Sequence, residues 1–176
     1  MKFVCMPACM LVLMALTSPA FSECRLIVRV ADSIPQYSQD INGNWKGLGV
    51  ELIEVLLNEA NCQPVYTVYP WKRSLTQLRE GKVDMMVNLS ITLERKEYLW
   101  FIGPQRDETI VLVVNKNSDF KIDSLDDFKA LNNKIGVENG AFYGDEFDNK
   151  YKTDPAFANL FVQAVNTDML INMLKV

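Results

Sequence analysis

The chain has 176 residues, 23% of them charged and 49% hydrophobic, with a formal net charge of −4 and no histidine. That composition belongs to an ordinary globular protein and excludes a disordered one. The acidic balance argues against a nucleic-acid surface, so any anion site must be local, and the lack of His excludes His-based triads and His-ligated zinc.

Residues 1–22, MKFVCMPACMLVLMALTSPAFS, carry one Lys, an apolar run and a Pro-broken end, with Ala20 and Ser22 as the small residues a signal peptidase needs. The apolar run is short for a membrane span, although a retained anchor is the alternative. Neither Cys9 nor Cys24 follows a lipobox. The expectation is an exported, periplasmic chain cleaved near Ser22–Glu23. Cleavage removes Lys2 alone among the charges, leaving 17 basic against 22 acidic residues, a balance of −5. It also removes Cys5 and Cys9. Cys24 and Cys62 remain, each just before a predicted strand. If those strands are parallel neighbours, both cysteines lie at one sheet edge within bridging reach, and a disulfide is expected in an oxidising compartment. Two buried free thiols are the alternative. A Cys pair alone is a weak metal site, so no metal and no cofactor is expected.

RLIVRVAD (25–32) is β-branched and reads as a strand. SIPQYSQDINGNWKG (33–47) is a polar loop, and VELIEVLLNEA (50–60) has the apolar spacing of a helix face. PVYTVYP (64–70) is a second strand, and WKRSLTQLRE (71–80) a short helix stopped by Gly81. KVDMMVN (82–88) reads as a third strand buried on both faces, and ETIVLVVN (108–115) as a further strand. This β-α-β-α-β order is the pattern of a doubly wound α/β sheet. Ligands bind such sheets at the carboxyl ends of the strands, so Ser33–Tyr37, Trp71–Arg73 and Asn88–Arg95 should converge. Beyond residue 116 a second α/β unit begins. SLDDFKAL (124–131) opens on Ser124 with Asp127 near a capping box, KIGVENG (134–140) and LFVQAV (160–165) are strands, and AFYGDEFDNKY (141–151) and TDMLINMLKV (167–176) are helices.

Between 88 and 104 the chain reads NLSITLERKEYLWFIGP. Thr92 is a good N-cap, and Arg95 then falls in the first helical turn, where a cation opposes the helix dipole. An anion placed there would meet the free amides and the guanidinium together, with the hydroxyls of Ser90 and Thr92 beside them. Alternatively, Arg95 leans out and pairs with Glu94 or a later acid. Trp71 and Tyr37 could wall a pocket or belong to the core. Trp45 and Trp100 read as packing residues, and Lys72 and Arg73 are equally well a solvated helix face.

The segments GLGVELIEVLL, LTQLREGKVDMMVNLSITLERKEYLWFIGP and KIGVENGAFYGDEF resemble the bacterial extracellular solute-binding proteins of the polar amino-acid type, family 3. The resemblance covers the chain from about residue 25 to its end. It implies a periplasmic-binding-protein-like fold, two α/β lobes joined by a hinge and closing on a ligand. The implied division is lobe 1 at 23–112, a hinge crossing at 113–116 and a partial lobe 2 at 117–176, after the signal peptide at 1–22. It implies that Arg95 holds a ligand α-carboxylate, that Ser90 and Asn88 contact the amino or carboxylate group, that Trp71 packs on the ligand side chain, and that Tyr37 lies in a loop that often supplies an aromatic wall. The turn Gly140 to Tyr143, with Phe142 where the family often has Thr, matches a second-lobe helix start that meets the carboxylate. Leu93 stands where the family commonly has Pro. The family's further strand, bearing an Asp for the ammonium group, and its return crossing do not occur in the sequence, so an incomplete second lobe is expected.

The implied function is a receptor for a small carboxylate-bearing solute, an amino acid or similar zwitterion, serving an inner-membrane ABC permease. The receptor is expected to be a monomer, without enzymatic activity and without nucleic-acid partners. Other readings are a sensor input module, a dehydratase-like enzyme on the same scaffold, or a non-functional truncated product. An enzyme without His would need Glu, Asp, Lys or Tyr as acid or base, and only Asp32 is a carboxylate at the three strand ends.

Overall fold

The computed structural model describes residues 23–131 and 133–174; the expected leader at 1–22 lies outside the described residues. The elements run β1 (Cys24–Val30), β2 (Ser38–Gln39), β3 (Trp45–Lys46), α1 (Leu48–Glu59), β4 (Cys62–Val68), α2 (Trp71–Arg79) and α3 (Leu93–Lys96). A 3-10 turn (Leu125–Ala130), β5 (Ile135–Glu138), α4 (Asp145–Thr153), α5 (Pro155–Ala158), β6 (Phe161–Ala164) and α6 (Thr167–Met173) follow. They make two α/β units, one around the parallel pair β1–β4 and one around the parallel pair β5–β6.

In the N-terminal unit, β1 turns Val28 and Val30 into the core, and α1 lays Val50, Ile53 and Leu57 onto them. Parallel register sets Cys24 opposite Cys62, and the two are joined in a disulfide. Replacing both cysteines with serine is expected to lower stability by about 2–4 kcal/mol, read as a lower urea midpoint with native activity of the site retained, because the bridge lies at the sheet edge opposite the strand ends.

Two expected strands are not formed. Residues 82–88 meet β1 only at an isolated bridge, Val28 to Met85, with Met85 donating its N–H to Ile27 O and Arg29 donating to Met85 O. The Asp84 carboxylate takes the N–H of Ile27 at 2.7 Å, replacing a ladder acceptor, and Asn88 ends the extended run at φ 61°. Val83 and Val87 are buried, but Met85 and Met86 only half so. Residues 108–115 also lack a ladder partner among the described residues, and Ile110 to Val114 are exposed. Of the two tryptophans read as packing residues, Trp45 does pack against the core. Trp100 is 100% exposed, in a segment without regular secondary structure.

Tyr37 is a core residue. It is 3% exposed and its ring lies where a Cβ on Gly49 would come within 2.5 Å, so the glycine at the start of α1 makes room for it. Its hydroxyl is buried with no hydrogen-bond partner among the described residues, and burial pushes its pKa up from 10.0 to about 12. Tyr37→Phe is therefore expected to raise stability by about 1 kcal/mol by deleting an unpaired buried group. The sign with pH follows from the raised pKa. The native state holds the phenol proton longer than the unfolded chain, so stability falls as pH rises from 10.0 toward about 12. The Phe variant should show a shallower alkaline loss in unfolding experiments across that range.

The C-terminal unit is smaller and largely aromatic. Phe128, Val137, Phe157 and Phe161 are buried, with Phe147, Tyr143 and Tyr151 around them. The Asp127 carboxylate accepts from the N–H groups of Asp123 and Ser124 and from the Ser124 hydroxyl, closing the expected capping box. Asn166 caps α6 by accepting from Met169 N at 3.0 Å, and Gly136 lets Leu170 and Met173 of that helix approach β5.

Candidate functional site

The three predicted stretches do converge. From the first, Gln36 accepts from the Asn88 amide at 3.2 Å. From the second, Trp71 opens α2 after Pro70, and its indole N–H donates to Gly140 O at 3.1 Å. From the third, Arg95 donates to Ser90 O at 2.8 Å and to the same Gly140 O at 3.1 Å. One carbonyl oxygen of the C-terminal unit thus receives two donors from the N-terminal unit. Gly140 adopts φ 82°, a left-handed conformation that favours glycine. A Cβ there would lie 2.9 Å from Lys72 Cδ, a contact that a shift of the lysine side chain relieves, so the positive φ is what favours glycine.

Thr92 caps α3 as predicted, accepting from Arg95 N at 3.2 Å. The helix lasts only from Leu93 to Lys96, a single turn, so its dipole is a small share of the site's field and the guanidinium carries the charge. Arg95 is 6% exposed. It does not pair with Glu94, which faces outward to Arg79 at 2.8 Å. Its acceptors are neutral carbonyls, and burial pushes its pKa down from the usual arginine range. Tyr98, Glu94 and Asp148 oppose that shift from a distance, but no carboxylate accepts a hydrogen bond from the guanidinium, and a buried charge so weakly paired is costly.

A second buried cation was not anticipated. Arg29 lies on β1, donates to Tyr69 O at 3.1 and 3.3 Å, and stacks over the Trp71 ring at 5.4 Å. Burial lowers its pKa too, offset in part by Tyr37 and Glu138. Glu138, at the end of β5, is half-buried; burial raises its pKa while Arg29 opposes the rise. The sequence held a signal for Arg29, a charged residue on a buried strand at its carboxyl end.

Two cavities border this region. The smaller, ≈ 550 Å³, is lined by Lys72, Thr92, Arg95, Gly140, Phe142 and neighbours. The larger, ≈ 940 Å³, takes Asn88, Ser90, Phe142 and Tyr143, but most of its wall is aliphatic side chain from the N-terminal unit. Phe142 stands between them. The smaller one holds the buried charge and is the better match to a polar ligand. Asn88 Oδ1 is buried without a partner among the described residues, an acceptor beside the cleft. The Tyr143 hydroxyl accepts from the N–H of Glu138 at 2.7 Å, and burial raises its pKa. Tyr37 and Trp71, both expected as aromatic walls, line neither cavity.

The comparisons agree with the fold. The family model for bacterial extracellular solute-binding proteins, family 3, matches residues 26–172. A probable histidine-binding protein of Neisseria gonorrhoeae is 32% identical over 111 residues, covering 62% of this chain and 40% of that protein. The L-cystine-binding protein TcyJ of Escherichia coli K12 is 28% identical over 120 residues, covering 67% and 44%. Among solved structures, the holo arginine-binding protein of T. maritima superposes with a TM-score of 0.70 at 24% identity, over 86% of this chain and 64% of that one. The chain therefore spans less than half the length of both curated relatives and about two thirds of the structural one.

Proposed function

Because the chain belongs to the bacterial extracellular solute-binding proteins, family 3, we propose that it captures a small carboxylate-bearing solute, a polar amino acid, in the periplasm for an ABC importer. The observation that carries this reading is Arg95, a buried guanidinium whose hydrogen-bond partners are two carbonyl oxygens and no carboxylate. A ligand carboxylate would supply the missing counter-charge in bidentate form.

In this reading Arg95 and Thr92 meet the ligand's polar end in the smaller cavity, and Asn88 and Ser90 border it from the larger one, with the unpartnered Asn88 Oδ1 available to an ammonium. Phe142 and the Gly140 turn shape the remaining walls, with Tyr143 beyond Phe142 in the larger cavity and Trp71 behind the turn, bonded to Gly140 O. Tyr37 supports the pocket from within the core. The units 23–112 and 117–176 act as lobes about a crossing at 113–116, and the ligand shifts their equilibrium by binding the closed arrangement better. An inner-membrane permease would read that closed surface. Export follows cleavage near Ser22–Glu23. The relatives named above are described as binding proteins, which favours a receptor over an enzyme.

Isothermal titration of the purified chain with the standard amino acids tests the proposal. Saturable binding of at least one amino acid, without turnover of it, is the expected result. Binding of none of them, or chemical conversion of the bound one, overturns it.

A further inference from the structure

The smaller cavity, ≈ 550 Å³, has the size of a small-molecule site, ~300–1,000 Å³. Its charged lining residues fall into two sets. Arg79 pairs with Glu94 at 2.8 Å, and Lys152 pairs with Asp148 along α4 at 3.7 Å, so these residues offset one another. Asp148 also acts on Arg95 from a distance, but its carboxylate is held by Lys152. Arg95, Lys72 and Asp145 make up the second set. None of them forms an ion pair among the described residues.

The two cations of that set meet at one residue. Trp71 opens α2 and donates to Gly140 O at 3.1 Å. Lys72, next in the chain, lays its stem on the same turn, where a Cβ on Gly140 would lie 2.9 Å from Lys72 Cδ. Arg95 donates to that Gly140 O at 3.1 Å. Lys72 thus borders the cavity, whereas Arg73 stacks over the Tyr69 ring at 5.0 Å and lines neither cavity. Two like charges gathered at one neutral carbonyl repel each other until an anion joins them. Asp145, the first residue of α4, adds one unpaired negative charge to the same cavity.

These unpaired charges distinguish the classes of amino acid. One with a neutral side chain matches its carboxylate to Arg95 and its ammonium to Asp145, and leaves Lys72 without a partner. A basic one sets a further cation beside Lys72. An acidic one matches all three residues, with a carboxylate each for Arg95 and Lys72 and an ammonium for Asp145. We propose that the solute is a dicarboxylic amino acid of the aspartate–glutamate class, and that Lys72 selects it by holding the side-chain carboxylate. This inference rests on the reading of Arg95 as the anchor of the α-carboxylate. Lys72 is exposed, and closure of the two units over the ligand removes the water that would otherwise screen the pair. Asp145 offers the ammonium a charge, which the neutral Asn88 acceptor does not.

Glutamate and glutamine have nearly the same shape and differ in side-chain charge, as do aspartate and asparagine, so titration calorimetry of the whole chain with these probes, and with lysine, isolates the role of Lys72. One of the two acids should bind more tightly than its own amide and than lysine by about tenfold or more, the low end for a charge pair in a closed interface. Lys72→Gln should bring the ratio of acid to amide affinity close to one, and Lys72→Arg should keep it well above one. Circular dichroism shows whether each variant folds, and the arginine variant keeps the test open if the glutamine variant does not. Equal or tighter binding of the amides or of lysine by the parent chain, or an acid preference that survives Lys72→Gln, would overturn the proposal and leave the receptor reading standing. Binding of no amino acid would overturn both.

Discussion

Arg95→Ala should weaken amino-acid binding by about 2–5 kcal/mol, the usual range for truncating one partner of a buried charge pair. At 298 K that is roughly thirty-fold to several thousand-fold in Kd. The size follows from where the side chain sits. Arg95 is buried, its backbone N–H is tied to the Thr92 hydroxyl, and its fork is already aimed at Gly140 O across the gap between the two units. A ligand carboxylate arriving there competes with a neutral carbonyl and offers a full charge in return. Arg95→Lys separates charge from shape. A lysine keeps the charge and loses the fork, so its affinity should fall between the parent and the alanine variant. Both variants are measured by titration calorimetry, with urea unfolding as the control for fold. The control matters because alanine also removes the links to Ser90 and Gly140, which join the two units. If the alanine variant folds and binds the same amino acid as well as the parent does, Arg95 has no role in holding the carboxylate.

What the sequence made legible was local or parallel in nature. β1 and β4 are runs of β-branched residues, and once they pair in parallel the cysteines ahead of them must meet. The Thr92 cap and the Ser124–Asp127 capping box depend on residues three positions apart and nothing else. Pairing at long range was not legible. Residues 82–88 and 108–115 have the composition of strands, but a strand exists only against a partner. Asp84 spends its carboxylate on the β1 ladder, and no described residue pairs with the second run. The site was half legible. Arg95 stood out because its charge conflicted with its place in a helix. Tyr37 sat in the loop read as a possible cleft wall, but the small Gly49 draws it into the core instead. Arg29 went unremarked although its place near the carboxyl end of a buried strand was a signal, because one charge in a strand is ordinary; its burial and its place over the Trp71 ring appear only in three dimensions.

Phe157→Ala should unfold the C-terminal unit and leave the N-terminal one standing. Phe157 is fully buried and meets Phe161 at 4.9 Å, Phe147 at 5.6 Å and Phe128 at 6.2 Å between ring centroids. Truncating such a ring costs about 3–5 kcal/mol in lost burial and cavity formation. A single core of this size rarely supplies more than about 3–5 kcal/mol in total, so one substitution removes most of what holds β5, β6 and their helices together. The N-terminal unit keeps its own cluster around Val28, Val30 and Ile53 and its disulfide. Hydrogen exchange should then show lost protection at Ile135–Glu138 and Phe161–Ala164 and retained protection at Cys24–Val30 and Cys62–Val68. Loss of Gly140 O as a partner would also free the Trp71 indole, shifting its emission to the red. Phe157→Leu keeps most of the volume and should lower protection without abolishing it. If protection is lost at both sheets together in the alanine variant, the Arg95 and Trp71 links to Gly140 are strong enough to make the chain one cooperative unit, and the separation into two independently stable halves is wrong.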